Sequence, residues 1–223
     1  MKYIDIHTHH SLSSEDCISV RNLLNPDQME NEDLNTGYFS AGIHPWHIHP
    51  DHWEEDIDKV SAISTHPHVL AIGEAGLDRL TDLSISFQTD IFKSMVLLSE
   101  EVKKPLIIHA VRTHGEIMLL HRQLLPTQPW IIHGFNLRWT IAEALLDHGF
   151  FLSFGSAIFQ HKSSAALALS KTPLERVFLE TDNVQADIRF TYHRAATLLG
   201  VETNELQGSI YNNFIGITGY AGS

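Results

Sequence analysis

The chain has 223 residues, of which 43% are hydrophobic and 19% are charged, a composition typical of one globular domain. Its 27 acidic residues outnumber 15 basic ones and give a formal net charge of −12, which argues against non-specific nucleic-acid binding through the body of the protein. The single cysteine, Cys17, excludes an intrachain disulfide and zinc sites built on several thiolates.

No apolar run approaches the roughly 18 consecutive residues that a membrane-spanning helix needs. The first ten residues, MKYIDIHTHH, carry polar and titratable side chains where a signal peptide has its apolar stretch. We therefore expect a cytoplasmic protein that does not bind membranes. No feature of the sequence indicates an obligate protein partner.

Eight short apolar runs alternate with stretches of helical periodicity, the order typical of β/α units. The runs are residues 3–7, 17–24, 38–44, 69–74, 105–109, 130–133, 150–154 and 176–181. Their apolarity is continuous rather than alternating, which predicts parallel strands covered on both faces. We interpret residues 1–223 as a single α/β domain with the fold of a (β/α)8 TIM-like barrel.

The first β/α unit departs from this pattern. Helical periodicity follows the third, fourth and sixth runs, at residues 53–64, 86–103 and 140–149. Only nine residues separate the first two runs, too few for a crossover helix. Either the barrel lacks its first crossover helix, or the second run is not a strand.

Side chains that bind metals repeatedly end the apolar runs. They are His7, His9, His44, Glu74, His109, His133 and Asp182. The carboxyl ends of parallel strands meet at one face of a barrel, so we expect these residues to lie together. His7 and His9 stand two residues apart, which places both imidazoles on the same side of an extended chain.

The residue types in this set predict a divalent metal site. A lone buried histidine or one H-x-H pair is more often structural, but carboxylates such as Glu74 and Asp182 on apolar strands require partners. Imidazole with carboxylate and no thiolate suits Zn²⁺ or Mn²⁺ and leaves room for Mg²⁺. We expect His44 near the metal as a neighbour of the ligands rather than as a ligand.

Six motifs occur in the order found in TatD-like hydrolases, and the sequence resembles that family up to Asn183. The motifs are DIHTH (5–9), GIHPW (42–46), GEAGLD (73–78), PLIIH (105–109), IIHGF (131–135) and LETDN (179–183). The resemblance implies a TIM-like barrel that binds two divalent metals and hydrolyses ester bonds, often phosphodiesters at the 3′ end of DNA.

The same resemblance implies a role for each site residue. His7, His9 and Asp182 would hold one metal, His109 and His133 the other, and Glu74 would bridge them. Asp182 would also be the general base, taking a proton from the attacking water. Asp5 and Glu180 would orient the imidazoles.

The sequence departs from the family pattern outside these ligands. The region between the first and third strands is short, Arg112 stands three rather than two residues after His109, and Val184 replaces a common proline. These segments form the substrate-binding side of a barrel. We expect Arg112 to contact a substrate phosphate. Phe135, Trp139 and Trp46 could stack on bases, although aromatics near strand ends more often pack in the core.

Three functional hypotheses follow. The first is a TatD-like deoxyribonuclease whose substrate is a nucleic-acid end. The second is the same metal centre acting on a small phosphoester, an amide or a lactone. The third is a non-catalytic metal-binding protein, which the presence of Asp182 disfavours.

Overall fold

The computed structural model describes residues 1–10, 14–23, 29 and 31–221. Its strands are β1 Tyr3–Thr8, β2 Cys17–Leu23, β3 Tyr38–Ala41, β4 Val69–Asp78, β5 Leu106–Val111, β6 Trp130–Ile132, β7 Phe151–Phe154 and β8 Val177–Leu179. Their order in the eight-stranded sheet follows the chain. The pairs β1–β2, β3–β4, β4–β5, β6–β7 and β7–β8 are parallel, which confirms the predicted (β/α)8 barrel.

Helices follow most of the strands. They are α1 Trp53–Ser64, α2 Ile85–Val102, α3 His114–Leu124, α4 Trp139–Asp147, α5 Ser164–Leu169, α6 Ile188–Leu199 and α7 Thr203–Thr218. None of these described helices has the length and apolarity needed to cross a membrane.

The connection between β1 and β2 resolves the ambiguity at the start of the chain. The second apolar run is a strand, and it pairs directly with β1. None of the described residues between the two strands, 9–10 and 14–16, is helical. The described residues of this connection therefore contain no crossover helix. Leu24, the end of the predicted run, lies outside the described residues.

Contacts divide the chain into two compact units, residues 1–21 with 131–223 and residues 22–130. In the first unit, α6 is fixed to β1 by Tyr192, whose hydroxyl accepts from the Ile4 N–H at 3.0 Å and donates to the Ile4 carbonyl at 3.1 Å. Phe154, Phe178 and Phe214 are fully buried in its core. The expectation of a single domain stays a prediction.

In the second unit, α2 is fixed to the end of β4. Ser84 caps α2 by accepting a hydrogen bond from the Phe87 N–H. The buried amide of Gln88 accepts from the Asp78 N–H at 2.8 Å and donates to the Asp78 carbonyl at 3.0 Å. Both backbone groups of Asp78 are thereby satisfied, which fixes the direction of its side chain.

Two strand ends differ from the sequence prediction. β3 ends at Ala41, so His44 follows the strand and caps a short 3₁₀ turn, Pro45–His47. All ten residues of β4 are buried, and the strand continues past Glu74 to Asp78. Gly76 pairs with His109 and Asp78 with Val111, which extends the ladder. The predicted end of this strand at Glu74 is therefore wrong, and Glu74 lies inside it.

Candidate metal centre

His7, His133 and Asp182 form a cluster in the first unit. One donor atom from each of the three lies within 4.8 Å of the others. The Oδ1 atom of Asp182 is 3.7 Å from Nε2 of His7 and 3.3 Å from Nε2 of His9. The rings of His7 and His133 are 4.4 Å apart. Four of the predicted ligands therefore converge.

Backbone pairing between the ends of β1 and β8 holds this cluster. The Asp182 N–H donates to the His7 carbonyl at 3.0 Å, and the His9 N–H donates to the Asp182 carbonyl at 3.1 Å. Asp182 has a left-handed backbone with φ +52°, a conformation that aspartate tolerates better than most residues. Its side chain is 35% exposed, whereas that of His7 is fully buried. Asp182 therefore faces solvent as well as the imidazoles.

His44, Glu74 and His109 form a cluster in the second unit. The Oε1 atom of Glu74 is 2.8 Å from Nδ1 of His109 and 3.3 Å from Nε2 of His44. Asn22, which the sequence does not single out, holds Glu74. Its amide donates to Oε2 of Glu74 at 3.3 Å, and its carbonyl oxygen accepts from the Glu74 N–H at 2.9 Å. These two hydrogen bonds with Asn22 fix the orientation of the buried Glu74 carboxylate.

His44 is neutral in this environment, because burial lowers the pKa of its imidazole against the opposing effect of Glu74. Its Nδ1 atom accepts a hydrogen bond from the Trp46 N–H at 3.0 Å. A neutral imidazole that accepts at Nδ1 carries its proton at Nε2. Nε2 lies 3.3 Å from both Oε1 of Glu74 and Nδ1 of His109, so it can donate to either atom. This favours the predicted role of His44 as a neighbour of the ligands.

Asp78 is a further buried carboxylate beside His109 that the sequence prediction missed. Its Oδ2 atom lies 3.1 Å from Nε2 of His109 and accepts from the Trp46 indole N–H at 2.7 Å. Its Oδ1 atom accepts from the Leu80 N–H at 2.7 Å. Burial acts to raise the pKa of Asp78, but the hydrogen bonds from Leu80, Trp46 and His109 outweigh it and lower the pKa.

Two carboxylates flank the ring of His109. Oδ2 of Asp78 lies 3.1 Å from its Nε2 atom, and Oε1 of Glu74 lies 2.8 Å from its Nδ1 atom. If Nδ1 bound a metal ion, the proton of the ring would stand on Nε2 and be donated to Asp78. A carboxylate that fixes a ligating histidine in this way is common in metal sites. Asp78 therefore has the geometry of a residue that orients His109.

Asp5 and Glu180 lie behind the first cluster. Both oxygens of Asp5 are bonded by Thr181, from its N–H at 3.0 Å and its hydroxyl at 2.6 Å, which fixes the residue before Asp182. Burial raises the pKa of Asp5 to about 7. Oε1 of Glu180 accepts from the Gly134 N–H at 2.7 Å and lies 3.5 Å from Nδ1 of His133. Glu180 thus has the position of a residue that orients His133.

Arg112 is exposed directly after β5 and has a left-handed backbone with φ +57°. Its carbonyl accepts from Nε of Arg79 at 3.1 Å. Arg79 is itself neutralised by Glu116. No described residue forms an ion pair with Arg112, so its guanidinium is available to an anion.

Both clusters contain donors that fit a divalent cation, namely Asp182 with His7 and His133 in the first, and Glu74 with His109 in the second. Each offers imidazole nitrogen and carboxylate oxygen within 4.8 Å, with no thiolate. Such sets accept Zn²⁺, Mn²⁺ and related ions, and carboxylate-rich sets accept Mg²⁺.

Known proteins of similar sequence include metal-dependent hydrolases. Residues 4–217 match the family model described as TatD related DNase. The chain is 30% identical over 154 residues to a metal-dependent hydrolase of Bacillus subtilis, YabD, in a match covering 68% of this chain and 60% of YabD. It is 28% identical over 148 residues to a 3′-5′ ssDNA/RNA exonuclease TatD of Edwardsiella piscicida, covering 64% and 56% of the two chains. The matches thus span less than two thirds of either relative.

The fold is shared with a solved structure, that of YJJV, a TatD homolog from Escherichia coli K12. The TM-score is 0.85 at 19% sequence identity, and the match covers 98% of both chains. At this identity the likeness concerns the fold alone.

Proposed function

Because the chain belongs to the TatD-related DNase family, we propose that it is a metal-dependent hydrolase that cleaves phosphodiester bonds at the 3′ end of DNA. The observation that carries the proposal is the cluster of His7, His9, His133 and Asp182. In it a partly exposed carboxylate stands beside the buried imidazole of His7 and the partly buried imidazoles of His9 and His133. The exonuclease name of the Edwardsiella piscicida relative supports the choice of substrate.

We assign His7, His9 and Asp182 to one divalent ion. The family pattern assigns His109 and His133 to a second ion, with Glu74 as the bridge, although His133 also lies against His7. Bound divalent ions acidify water and neutralise charge that develops on phosphoryl oxygens. Zn²⁺, Mn²⁺ and Mg²⁺ all remain within the proposal.

Asp182 is the residue we assign to proton transfer. Its carboxylate is 35% exposed, so it can accept a proton from an attacking water and return it to the leaving 3′ oxygen. The hydrogen bonds from Thr181 to Asp5 fix the backbone directly before Asp182. Arg112 would bind a phosphate of the substrate, for which its planar guanidinium is suited.

Cleavage of a 5′-labelled single-stranded oligonucleotide tests the proposal. We expect a ladder that shortens from the 3′ end with Mg²⁺, Mn²⁺ or Zn²⁺, and a loss of at least about 100-fold in rate in Asp182→Asn because the general base is gone. Asp147→Asn removes the same charge from an exposed position in α4 and should keep full activity.

The absence of cleavage with all three ions would reject the deoxyribonuclease. The same centre would then be tested on small phosphoesters, amides and lactones, and the absence of turnover on all of them would leave a metal-binding protein. A cytoplasmic location and the lack of an obligate protein partner stay predictions from the sequence.

A further inference from the structure

The three aromatic residues that could stack on a base differ in exposure. Phe135 is buried at 1% exposure and packs on Phe154, with ring centroids 5.6 Å apart. Trp139 is partly covered by the Lys171 ammonium, 5.5 Å from its ring centroid. Trp46, in contrast, is 65% exposed. Only the last of these three presents most of its ring to solvent.

Trp46 is held rigidly despite this exposure. Its indole N–H donates to Oδ2 of Asp78 at 2.7 Å, and its backbone N–H donates to Nδ1 of His44 at 3.0 Å. It lies in the 3₁₀ turn that begins at Pro45. A large aromatic side chain fixed in advance loses little conformational entropy when it binds a ligand.

Trp46 forms one wall of a cavity of about 330 Å³. The segment after β4 also lines it, and Leu80 in this segment is 60% exposed. The other lining residues are Pro45, Ile48, Thr81, Asp82 and Leu83. Its volume lies at the lower end of the range for small-molecule sites, which suits one planar ring system.

This cavity adjoins the cluster formed by His44, Glu74 and His109. The Trp46 ring centroid lies 5.4 Å from that of His44 and 6.4 Å from that of His109. The carboxylate that holds the indole also contacts His109 at 3.1 Å. A ligand stacked on Trp46 would therefore lie directly beside a phosphate bound at these histidines.

We propose that Trp46 and Leu80 form the subsite for the nucleobase of the nucleotide whose phosphate binds at the His44–Glu74–His109 cluster. This inference rests on the proposed function, and it adds that the residues beside the cluster recognise the base of the substrate. Stacking accepts any base, because every base has a π face. Asp78 is the positioning residue, because its carboxylate holds Trp46 beside His109.

Binding of two probes to the protein loaded with a divalent ion tests the subsite. Deoxyadenosine 5′-monophosphate has the base, and 2-deoxyribose 5-phosphate has the same phosphate and sugar without it. By calorimetry we expect the first to bind roughly tenfold more tightly, a ratio typical of one stacked base. Trp46→Ala should remove this ratio, and Trp46→Phe should restore most of it.

Leu97→Ala is the matched control, since Leu97 is 67% exposed on α2 and lies outside the cavity lining. It should keep the tenfold ratio. If Trp46→Ala disturbed His109 through Asp78, both probes would weaken equally, so the ratio isolates stacking. An unchanged ratio in Trp46→Ala, or no preference for the base in the wild type, would overturn the inference, as would no binding of the monophosphate at millimolar concentration.

The two proposals fail separately. A base preference that depends on Trp46, without cleavage of any oligonucleotide, would reject the deoxyribonuclease and leave a nucleotide-binding subsite. Cleavage without a base preference would keep the deoxyribonuclease and reject the subsite.

Discussion

Asp78 shows how one side chain can fix several others. Its carboxylate is fully buried at the end of β4 and accepts hydrogen bonds from Leu80, Trp46 and His109. Three donors offset the cost of burying the charge. The contacts connect the GIHPW and GEAGLD motifs and place a carboxylate beside Nε2 of His109.

We expect Asp78→Asn to weaken the binding of a divalent ion by about 10- to 100-fold, the usual cost of losing a residue that orients a ligating histidine. An asparagine amide has a single acceptor oxygen, so it cannot accept both from Leu80 on one side and from Trp46 and His109 on the other. Competition with a fluorescent chelator measures the affinity. Asp82→Asn removes the same charge at an exposed position four residues away and serves as control. Equal affinities of the two variants would contradict the orienting role.

The sequence predicted His7, His9, His133 and Asp182 as neighbours because each follows an apolar run. It did not predict Asn22 or Asp78. Asn22 lies in β2 and contacts Glu74 across 52 positions of the chain, and Trp46 contacts Asp78 across 32. No local pattern encodes such contacts, since they depend on strand register and on the rotamer of each side chain.

At the scale of elements, β4 and β5 approach each other closely at Gly76. A Cβ atom on Gly76 would lie 1.9 Å from the His109 carbonyl oxygen, and its φ of +158° disfavours any side chain. The pair forms part of the ladder that carries His109. The glycine therefore allows the two strands to approach at the point where a candidate ligand is placed.

We expect Gly76→Ala to lower the free energy of unfolding by about 3 kcal/mol, because the backbone of β5 must move. Urea denaturation measures the loss. Gly115→Ala in α3 is the matched control, since its new Cβ would meet no atom within 4 Å. There alanine should stabilise the helix by about 0.5 kcal/mol. Similar losses in both variants would contradict the close approach.

The stability of α3 should depend on pH through its first residue. Burial lowers the pKa of His114 to about 4, and a positive charge is also unfavourable at a helix N-terminus. The unfolded chain, with a histidine pKa near 6.5, then binds more protons than the folded chain between pH 4 and 6.5. Stability therefore rises with pH through this window and is lost as the pH falls.

We expect His114→Gln to lose about 2 kcal/mol less stability than the wild type when the pH is lowered from 7 to 4, since glutamine does not titrate. Thermal unfolding followed by circular dichroism across this range measures both proteins. Parallel pH curves for the two proteins would show that His114 does not contribute.

The elements themselves were largely predictable from apolar periodicity. All eight runs are strands, and α1 spans the predicted residues 53–64. The ends of β3 and β4 were not predictable. Glu74 marked the expected end of β4 because the apolar run stops there. Its partners Asn22 and His109 offset the cost of burying the carboxylate inside the longer strand.

At the scale of the whole molecule, the net charge of −12 limits how the protein can bind nucleic acid. Basic residues near the strand ends are partly neutralised, since Arg79 pairs with Glu116 and Arg189 with Asp16 and Asp187. Few phosphates can therefore be contacted at once. This arrangement favours a grip on one strand end over binding along a length of DNA.

We expect the affinity for a single-stranded oligonucleotide to fall by about tenfold or less between 50 and 200 mM salt, as for one or two phosphate contacts. Fluorescence anisotropy with the Asp182→Asn variant, which should not cleave the probe, measures it. A loss of roughly 1,000-fold would indicate six or more phosphate contacts and would contradict binding at a strand end.

The pairing of β1 with the segment after β8 has a consequence for biosynthesis. Asp5 is bonded by Thr181, 176 positions later in the chain. A ribosome adds roughly 5–20 residues per second, so the first strand waits about 10 to 35 seconds before its permanent neighbour is made. During that interval the apolar residues and His7 of this strand are open to chaperones and to free metal ions. The first unit can therefore complete its fold only after the segment around Thr181 has been made.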